Sequence, residues 1–494
     1  MKYLLLYIIL FPFLFAQEIF TEYLIEDSDT TDVFSYQIPS GYNPLNKHPM
    51  IITFHQWGGN ENSNYYTLFD EEANIRNWIL LSPFGGSANN YNHQGMQDMV
   101  EKELLWMIDN YNINKDKIYM VGGSMGGATG AIYANNHLDP TKPMVAATAS
   151  ASGILDCERR AIEMDGNNSM IEWFGGNWDE VPFEYHRNSA VYFADSTQSM
   201  HYNLQHTPLY LDFGVTEPHR THAEDLYELL NGYNQNMWID VNPTGSHGYS
   251  VFDENHVCNW LDQFELIKDP LNIKVNLDEP SRAYWAEAHN QYLENQFINM
   301  QLKYEYTQND TLNKHSIYIE KYTNSDSLIL HIIEDKFLDE NYLSIRFKIE
   351  SEELINLGFS GSILDNYEID NITGSYIYLD NTNPLPCGIE YIINEDNIIW
   401  INNYTLTDNN PCFENNFSIN NDTTLFIDFN FSENEANDIN GDGRWDVLDI
   451  VLVINHIFQL NILNIQQQIN ADFNQDEIIN ILDVVLIVNL ILDI

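Results

Sequence analysis

Apolar runs in the first half of the chain are short and abut glycine-containing turns. Met50-Ile51-Ile52-Thr53-Phe54, Ile118-Tyr119-Met120-Val121 and Leu209-Tyr210-Leu211-Asp212-Phe213 are almost continuously apolar. That pattern predicts strands of a sheet. Trp238-Ile239-Asp240-Val241 predicts another strand of the same sheet. From about residue 271 to 432 the pattern turns to alternation, as in Tyr342-Leu343-Ser344-Ile345-Arg346-Phe347-Lys348-Ile349 and Leu425-Phe426-Ile427-Asp428-Phe429. Alternating strands separated by Asn, Asp and Gly turns predict a β-rich, sandwich-like accessory region. Near residue 433 a third regime begins, in which two acidic segments each precede an apolar stretch, Ile450 to Phe458 and Val484 to Leu492. The chain is therefore expected to be multidomain: an α/β unit over 17–268, the β-rich region over 271–432 and a small all-α domain over 433–494.

Within the first unit, the strand ending in Met120-Val121 runs into Gly122-Gly123-Ser124-Met125-Gly126-Gly127, and small residues follow. Gly-x-Ser-x-Gly between a strand and a helix is the context in which a serine is lifted from the end of a sheet as a nucleophile. The partners that such a serine needs follow in order. Glu217 lies on the loop leaving the Leu209–Gly214 strand, and His247 follows the next strand in Gly245-Ser246-His247-Gly248. His247 is read as the general base and Glu217 as the acid that orients it. Asp212 is the rival acid, although it falls inside the strand; His201, His219, His222 and His256 are rival bases. The loop His55-Gln56-Trp57-Gly58-Gly59-Asn60, after an early strand, can offer a backbone N–H to an oxyanion from Gln56 or Trp57. Met125 supplies the second N–H, and Trp57 reads equally as a packing residue or as an aromatic wall for the acyl group.

Residues 40–265 resemble secreted esterases related to feruloyl esterases and polyhydroxybutyrate depolymerases, close to prolyl-oligopeptidase-type hydrolases. The likeness is carried by His55–Asn60, Gln97-Asp98-Met99-Val100, Asp116-Lys117-Ile118-Tyr119, Gly122–Gly127, Gly175-Gly176-Asn177, Pro182-Phe183-Glu184-Tyr185 with Arg187 and Ser189, and Gly245–Gly248. It implies an α/β-hydrolase fold, a mostly parallel sheet with helices on both faces, and serine ester hydrolysis without a catalytic cofactor. Gln56 stands where the family usually carries glycine, and Glu217 where aspartate is commoner.

The two acidic segments share one frame. Asp438, Asn440, Asp442, Asp446 and Asp449, with the carbonyl of Arg444, repeat as Asp472, Asn474, Asp476, Asn480 and Asp483, with the carbonyl of Ile478. Oxygen donors at positions one, three, five, seven, nine and twelve suit a calcium ion. The repeat closely resembles a dockerin, which implies a cohesin-type protein partner. Positions ten and eleven are Val447-Leu448 and Ile481-Leu482, where dockerins of cellulosomes often carry small or hydroxylated residues, and Glu477 replaces the turn glycine.

Composition narrows the setting. The chain has 494 residues, with 21 Lys and Arg against 73 Asp and Glu, a net charge of −52. Such a surface repels nucleic acid and anionic membranes, and neither is expected as a partner. Met1-Lys2-Tyr3, the apolar Leu4 to Phe15 and Ala16 read as a signal peptide over 1–16, so the product is expected outside the cell or tethered at its surface. Export permits disulfides, and pairing Cys157 with Cys258 and Cys387 with Cys412 keeps each bond within one domain. These expectations converge on a serine esterase that removes feruloyl or acetyl groups from polysaccharide. A polyester depolymerase and a prolyl-oligopeptidase-type peptidase are the alternatives; no propeller-like segment precedes the hydrolase unit, which disfavours the peptidase.

Overall fold

The computed structural model describes residues 18–165, 168–309, 312–331, 342–350, 356–365, 367–378, 385–387, 391–401, 423–433, 439, 447–463, 467–468, 471–473 and 478–491. The expected signal peptide at 1–16 lies outside them. The chain divides into two compact units, one of Met1–Lys303 with Lys321–Leu328 and one of Tyr304–Glu320 with Ile329–Ile494.

The first unit is built on eight strands: β1 (Ile19–Glu26), β2 (Asp29–Gln37), β3 (His48–Phe54), β4 (Ile79–Pro83), β5 (Ile113–Gly123), β6 (Ala147–Ala151), β7 (Leu209–Gly214) and β8 (Met237–Asn242). Their order in the sheet is β1-β2-β4-β3-β5-β6-β7-β8. Strands β3 to β8 run parallel, and β1 and β2 close one edge antiparallel. The helices are α1 (Phe69–Arg76), α2 (Gln94–Asn110), α3 (Met125–Asn136), α4 (Cys157–Glu163), α5 (Met170–Phe174), α6 (Pro182–Arg187), α7 (Arg220–Leu230) and α8 (Glu254–Leu261).

The apolar runs become a two-faced sheet because successive side chains of a strand point to opposite sides. Met50, Ile52, Phe54, Ile118 and Met120 enter one core with Val100 and Leu104 of α2, Ala131 and Ile132 of α3, and Leu226 and Leu230 of α7. The intervening residues Ile51, Tyr119 and Val121 enter the other with Phe69 and Ala73 of α1 and Val257 and Leu261 of α8. Continuous hydrophobicity in the sequence is thus two interleaved faces, each covered by its own helices. The carboxyl ends of β3, β5, β7 and β8 open on one rim, where loops can gather side chains for chemistry.

The first unit continues past residue 270. Asn203 donates to the carbonyl of Asn276 at 3.0 Å and accepts the Asn276 N–H at 2.9 Å. Arg187 grips Asp278 through Nε at 2.7 Å.

In the second unit, alternation sorts inside from outside. Ile345, Phe347 and Ile349 are buried, whereas Arg346 between them pairs with Asp428 through Nε at 2.6 Å and a terminal guanidinium nitrogen at 2.7 Å. Phe359, from the strand Asn356–Ser360, packs edge-on against Phe429 at 4.9 Å between centroids. Two helices, Val447–Ile457 and Ile481–Ile491, enclose a small core of Val453, Leu463, Val484 and Ile487. Among the described residues no helix is long and apolar enough to cross a membrane.

The expected Cys157–Cys258 disulfide is not formed: both are free, buried thiols. Cys157 packs with Met125 and Tyr185, and Cys258 with Ile51 and Tyr119, in separate apolar clusters. The Cys157 thiol instead donates to Asn188 O at 3.2 Å. Burial pushes both thiols up to about 12, which keeps them protonated and unreactive. Cys412 and the side chain of Cys387 lie outside the described residues.

Candidate active site

Ser124 sits between β5 and α3 with φ 57° and ψ −118°. This backbone conformation costs a non-glycine residue on the order of 1–3 kcal/mol and persists only where its surroundings impose it. They do so here. Ser124 N donates to Ala151 O at 2.8 Å, and Ile154 N donates to Ser124 O at 3.2 Å. A Cβ on Gly122 would lie 2.0 Å from Gly126 O, and one on Gly126 would lie 2.5 Å from both Phe54 O and His55 O. Only glycine at both positions lets the chain turn this tightly.

The turn presents Ser124 Oγ 2.7 Å from His247 Nε2. On the other side of the ring, His247 Nδ1 lies 2.6 Å from Glu217 Oε2. A carboxylate has no proton to give, so Nδ1 carries the hydrogen and Nε2 is the acceptor facing the serine. Glu217 is buried, and its second oxygen accepts the His219 N–H at 3.0 Å. The structure therefore brings Ser124, His247 and Glu217 into one hydrogen-bonded line. Asp212 stays within β7, where burial, with repulsion from Asp240 as a smaller cause, pushes its carboxyl up to about 7.

The other histidines are engaged elsewhere. His256 Nδ1 is 3.2 Å from the Tyr210 hydroxyl, and His201 Nδ1 is 2.7 Å from Ser199 Oγ. His219 and His222 gather on Glu163, beside the cleft.

The loop His55–Asn60, expected to face an oxyanion, is held by the His55 ring and by its own backbone. His55 bridges Gln56 O and Phe84 O, 2.8 Å from each, and Gly58 N donates to Ala88 O at 2.7 Å. Met125 opens helix α3, where a first-turn N–H has no partner within its helix and can face an anion. Trp57 is 60% exposed and its Nε1 reaches to 3.4 Å from Ser169 Oγ. The Gln56 side chain has an attachment that sequence reading did not anticipate: its Oε1 accepts the Tyr249 N–H at 3.0 Å, in the loop that carries His247. A cleft of about 570 Å³ opens over Ser124 and His247, walled by Trp57, Tyr91, Arg160 and His219.

In the C-terminal region one hydrogen bond recurs in both acidic repeats. Ile439 N donates to Asp449 Oδ1 at 3.0 Å, and Phe473 N donates to Asp483 Oδ1 at 2.9 Å, the same ten-residue span in each repeat. Both aspartates are buried. Asn480 caps the second helix, its Oδ1 accepting Leu482 N at 2.8 Å, and its Nδ2 donates to Ile478 O at 3.0 Å. Asp438, Asn440, Asp442, Arg444, Asp446, Asn474, Asp476 and Glu477 lie outside the described residues, and Asp472 lies within them.

A family model described as the dockerin type I domain matches residues 436–492. No curated protein matches the chain. Among solved structures, the chain is similar to fluorophosphonate-binding serine hydrolase F of Staphylococcus aureus, with 13% identity and a TM-score of 0.37 over 50% of this chain and 98% of that one. It is similar to a ferulic acid esterase, with 15% identity and a TM-score of 0.38 over 50% of this chain and 96% of that one. An esterase of Pyrobaculum calidifontis gives 15% identity and a TM-score of 0.38 over 50% of this chain and 85% of that one.

Proposed function

We propose that the first unit is a serine carboxylic-ester hydrolase with Ser124 as nucleophile, His247 as general base and Glu217 as its orienting acid. The observation that carries this reading is the continuous line Ser124–His247–Glu217, at 2.7 and 2.6 Å, on a strained turn beneath an open cleft. Ser124 Oγ attacks the ester carbonyl as its proton passes to His247 Nε2. The imidazolium so formed is stabilised by Glu217, and the carbonyl oxygen, now negative, meets the N–H of Met125 and that of Trp57 or Gln56. His247 returns the proton to the departing alkoxide, which leaves as an alcohol. Water then repeats the sequence on the acyl-enzyme and releases the acid.

The substrate in this proposal is an ester-bearing polysaccharide, from which feruloyl or acetyl groups are removed. Two features support it: the exposed Trp57 beside the nucleophile offers a stacking surface, and the dockerin type I match gives the chain a means of attachment. In this proposal the dockerin holds calcium and docks on a cohesin-type partner, and the protein works outside the cell. The oxygen-only donor set of each repeat, with Asp449 and Asp483 folded onto their own loops, suits a hard cation and is poor for a soft one. Calcium there would neutralise the loop carboxylates and fix the helices; the ester chemistry does not pass through it.

The test is a substrate panel on the full chain: p-nitrophenyl acetate and butyrate, methyl ferulate, polyhydroxybutyrate and proline amides. Turnover of the acetyl or feruloyl esters is expected. Turnover confined to the polymer would assign a polyester depolymerase, and turnover confined to the amides a peptidase.

A further inference from the structure

Beside the cleft, Glu163 at the end of α4 collects three side chains. His219 Nδ1 lies 3.0 Å from Glu163 Oε2, an Arg160 terminal nitrogen lies 3.3 Å from the same oxygen, and His222 Nε2 lies 3.7 Å from Oε1. The ligating atoms of Glu163, His219 and His222 fall within 4.8 Å of one another, which is the spacing of a metal site. The protons rule that use out. His222 Nδ1 accepts the Asp156 N–H at 3.2 Å, so its proton sits on Nε2, the one atom a cation would need. A histidine that binds a metal donates from its other nitrogen rather than accepting there.

The same bookkeeping defines what His219 offers. Glu163 can only accept, its acid held down to about 2 chiefly by His222, so His219 Nδ1 carries the hydrogen that joins them. Burial lowers the basicity of the His219 ring, with Arg160 adding to the effect, and so favours the ring that carries its one hydrogen on Nδ1. Its Nε2 is then a lone-pair acceptor on a residue that lines the cleft, with its ring centroid 6.2 Å from that of His247. Arg160 lines the cleft beside it, its charge already balanced by Glu163, and so acts as an N–H donor more than as a free cation. A fixed acceptor beside a fixed donor is the complement of a hydroxyl group, which both gives and takes a hydrogen bond. An anionic group would meet the lone pair of Nε2 and the charge of Glu163.

We propose that His219 and Arg160, positioned by Glu163, form a hydroxyl-reading subsite that selects esters bearing a free hydroxyl able to reach these two groups while the carbonyl sits at Ser124. The proposal rests on the hydrolase reading and names the substrate chemistry of that same cleft. Two sources carry such a hydroxyl, a sugar ring next to an O-acetyl group and the phenol of a hydroxycinnamoyl group. A site built to bond a hydroxyl penalises the analogue without it, because its buried polar groups are left unpaired.

The experiment measures kcat/KM of the full chain on matched pairs. Methyl 3-O-acetyl-xylopyranoside is set against its 2,4-dideoxy analogue, methyl p-coumarate against methyl cinnamate, and p-nitrophenyl acetate serves as the hydroxyl-free reference. At least one pair should show a preference of about tenfold to a hundredfold for the hydroxylated member, and that pair identifies the source. In His219→Phe the preference should collapse toward unity, and in His219→Gln, which keeps an acceptor, it should return in part. Equal turnover within both pairs by the parent enzyme overturns the subsite, whatever the variants do. So does a preference that survives His219→Phe. Failure of the parent on every ester, p-nitrophenyl acetate included, would instead refute the hydrolase reading.

Discussion

The side-chain oxygen of Gln56 accepts the backbone N–H of Tyr249 at 3.0 Å, tying the loop after β3 to the loop that carries His247. The oxygen sits so close beneath the His247 loop that a Cβ on Gly248 would lie 2.1 Å from it. His247, two residues before Tyr249, holds its Nε2 2.7 Å from Ser124 Oγ.

Gln56→Leu should accordingly damage the position of the base more than the binding of substrate. The Tyr249 N–H loses its partner, at a cost of about 1–3 kcal/mol. For a small ester, kcat should fall about tenfold with KM nearly constant, and thermal denaturation should begin several degrees lower. An unchanged kcat in steady-state assays would show that the loop holds its place without this bond.

Glu217→Gln and Asp212→Asn should separate chemistry from stability. The first leaves the ring of His247 in place but cannot stabilise the imidazolium, and kcat should fall by about 10³–10⁴. The second should leave kcat within a few-fold of the parent. Comparable losses in the two variants, or a larger one at Asp212, would move the acid into the strand.

The same aspartate sets a pH signature. Its folded-state acid constant, about 7, lies above the unfolded value near 3.8. The stability it contributes is complete below pH ~4 and is lost as the pH rises through ~7, because folding then buries a charge. Urea midpoints should therefore fall from pH 5 to pH 8 in the parent and fall less in Asp212→Asn.

Calcium should act on the tail and not on ester turnover. Saturating one site at a hundredfold excess over its Kd stabilises the folded domain by about 2.7 kcal/mol. In the full chain, limited proteolysis after residue 433 should slow when calcium is added. Asp449→Ala and Asp483→Ala should each remove part of that protection while p-nitrophenyl acetate hydrolysis persists. Calorimetry that finds no calcium uptake at millimolar concentration would remove the cation from the account.

What the sequence disclosed follows from how local each signal is. The serine turn was legible because its glycines answer to contacts with residues near in the chain or in the neighbouring strand, as at Gly122 and Gly126. The two acidic repeats were legible because their frame is a feature of single short segments. Gln56 was read through its backbone alone, since the partner of its side chain lies 193 residues away. The cysteine pairing failed for a related reason: sharing a domain says nothing about sharing a cluster, and Cys157 and Cys258 enter different ones. Glu163 carried no motif, and its three partners converge from α4 and from the start of α7 only once the chain is folded.

If Ser124 is the nucleophile of an acyl-transfer site, it is the residue that an active-site label captures. The full chain is treated with one equivalent of a fluorophosphonate, in which an oxygen–phosphorus bond forms as fluoride departs, and is then digested and mapped by mass spectrometry. A single adduct is expected on the peptide containing Ser124, with loss of ester hydrolysis in step with labelling and no uptake by Ser124→Ala. An adduct on another residue, or hydrolysis that survives full labelling of Ser124, would contradict that role.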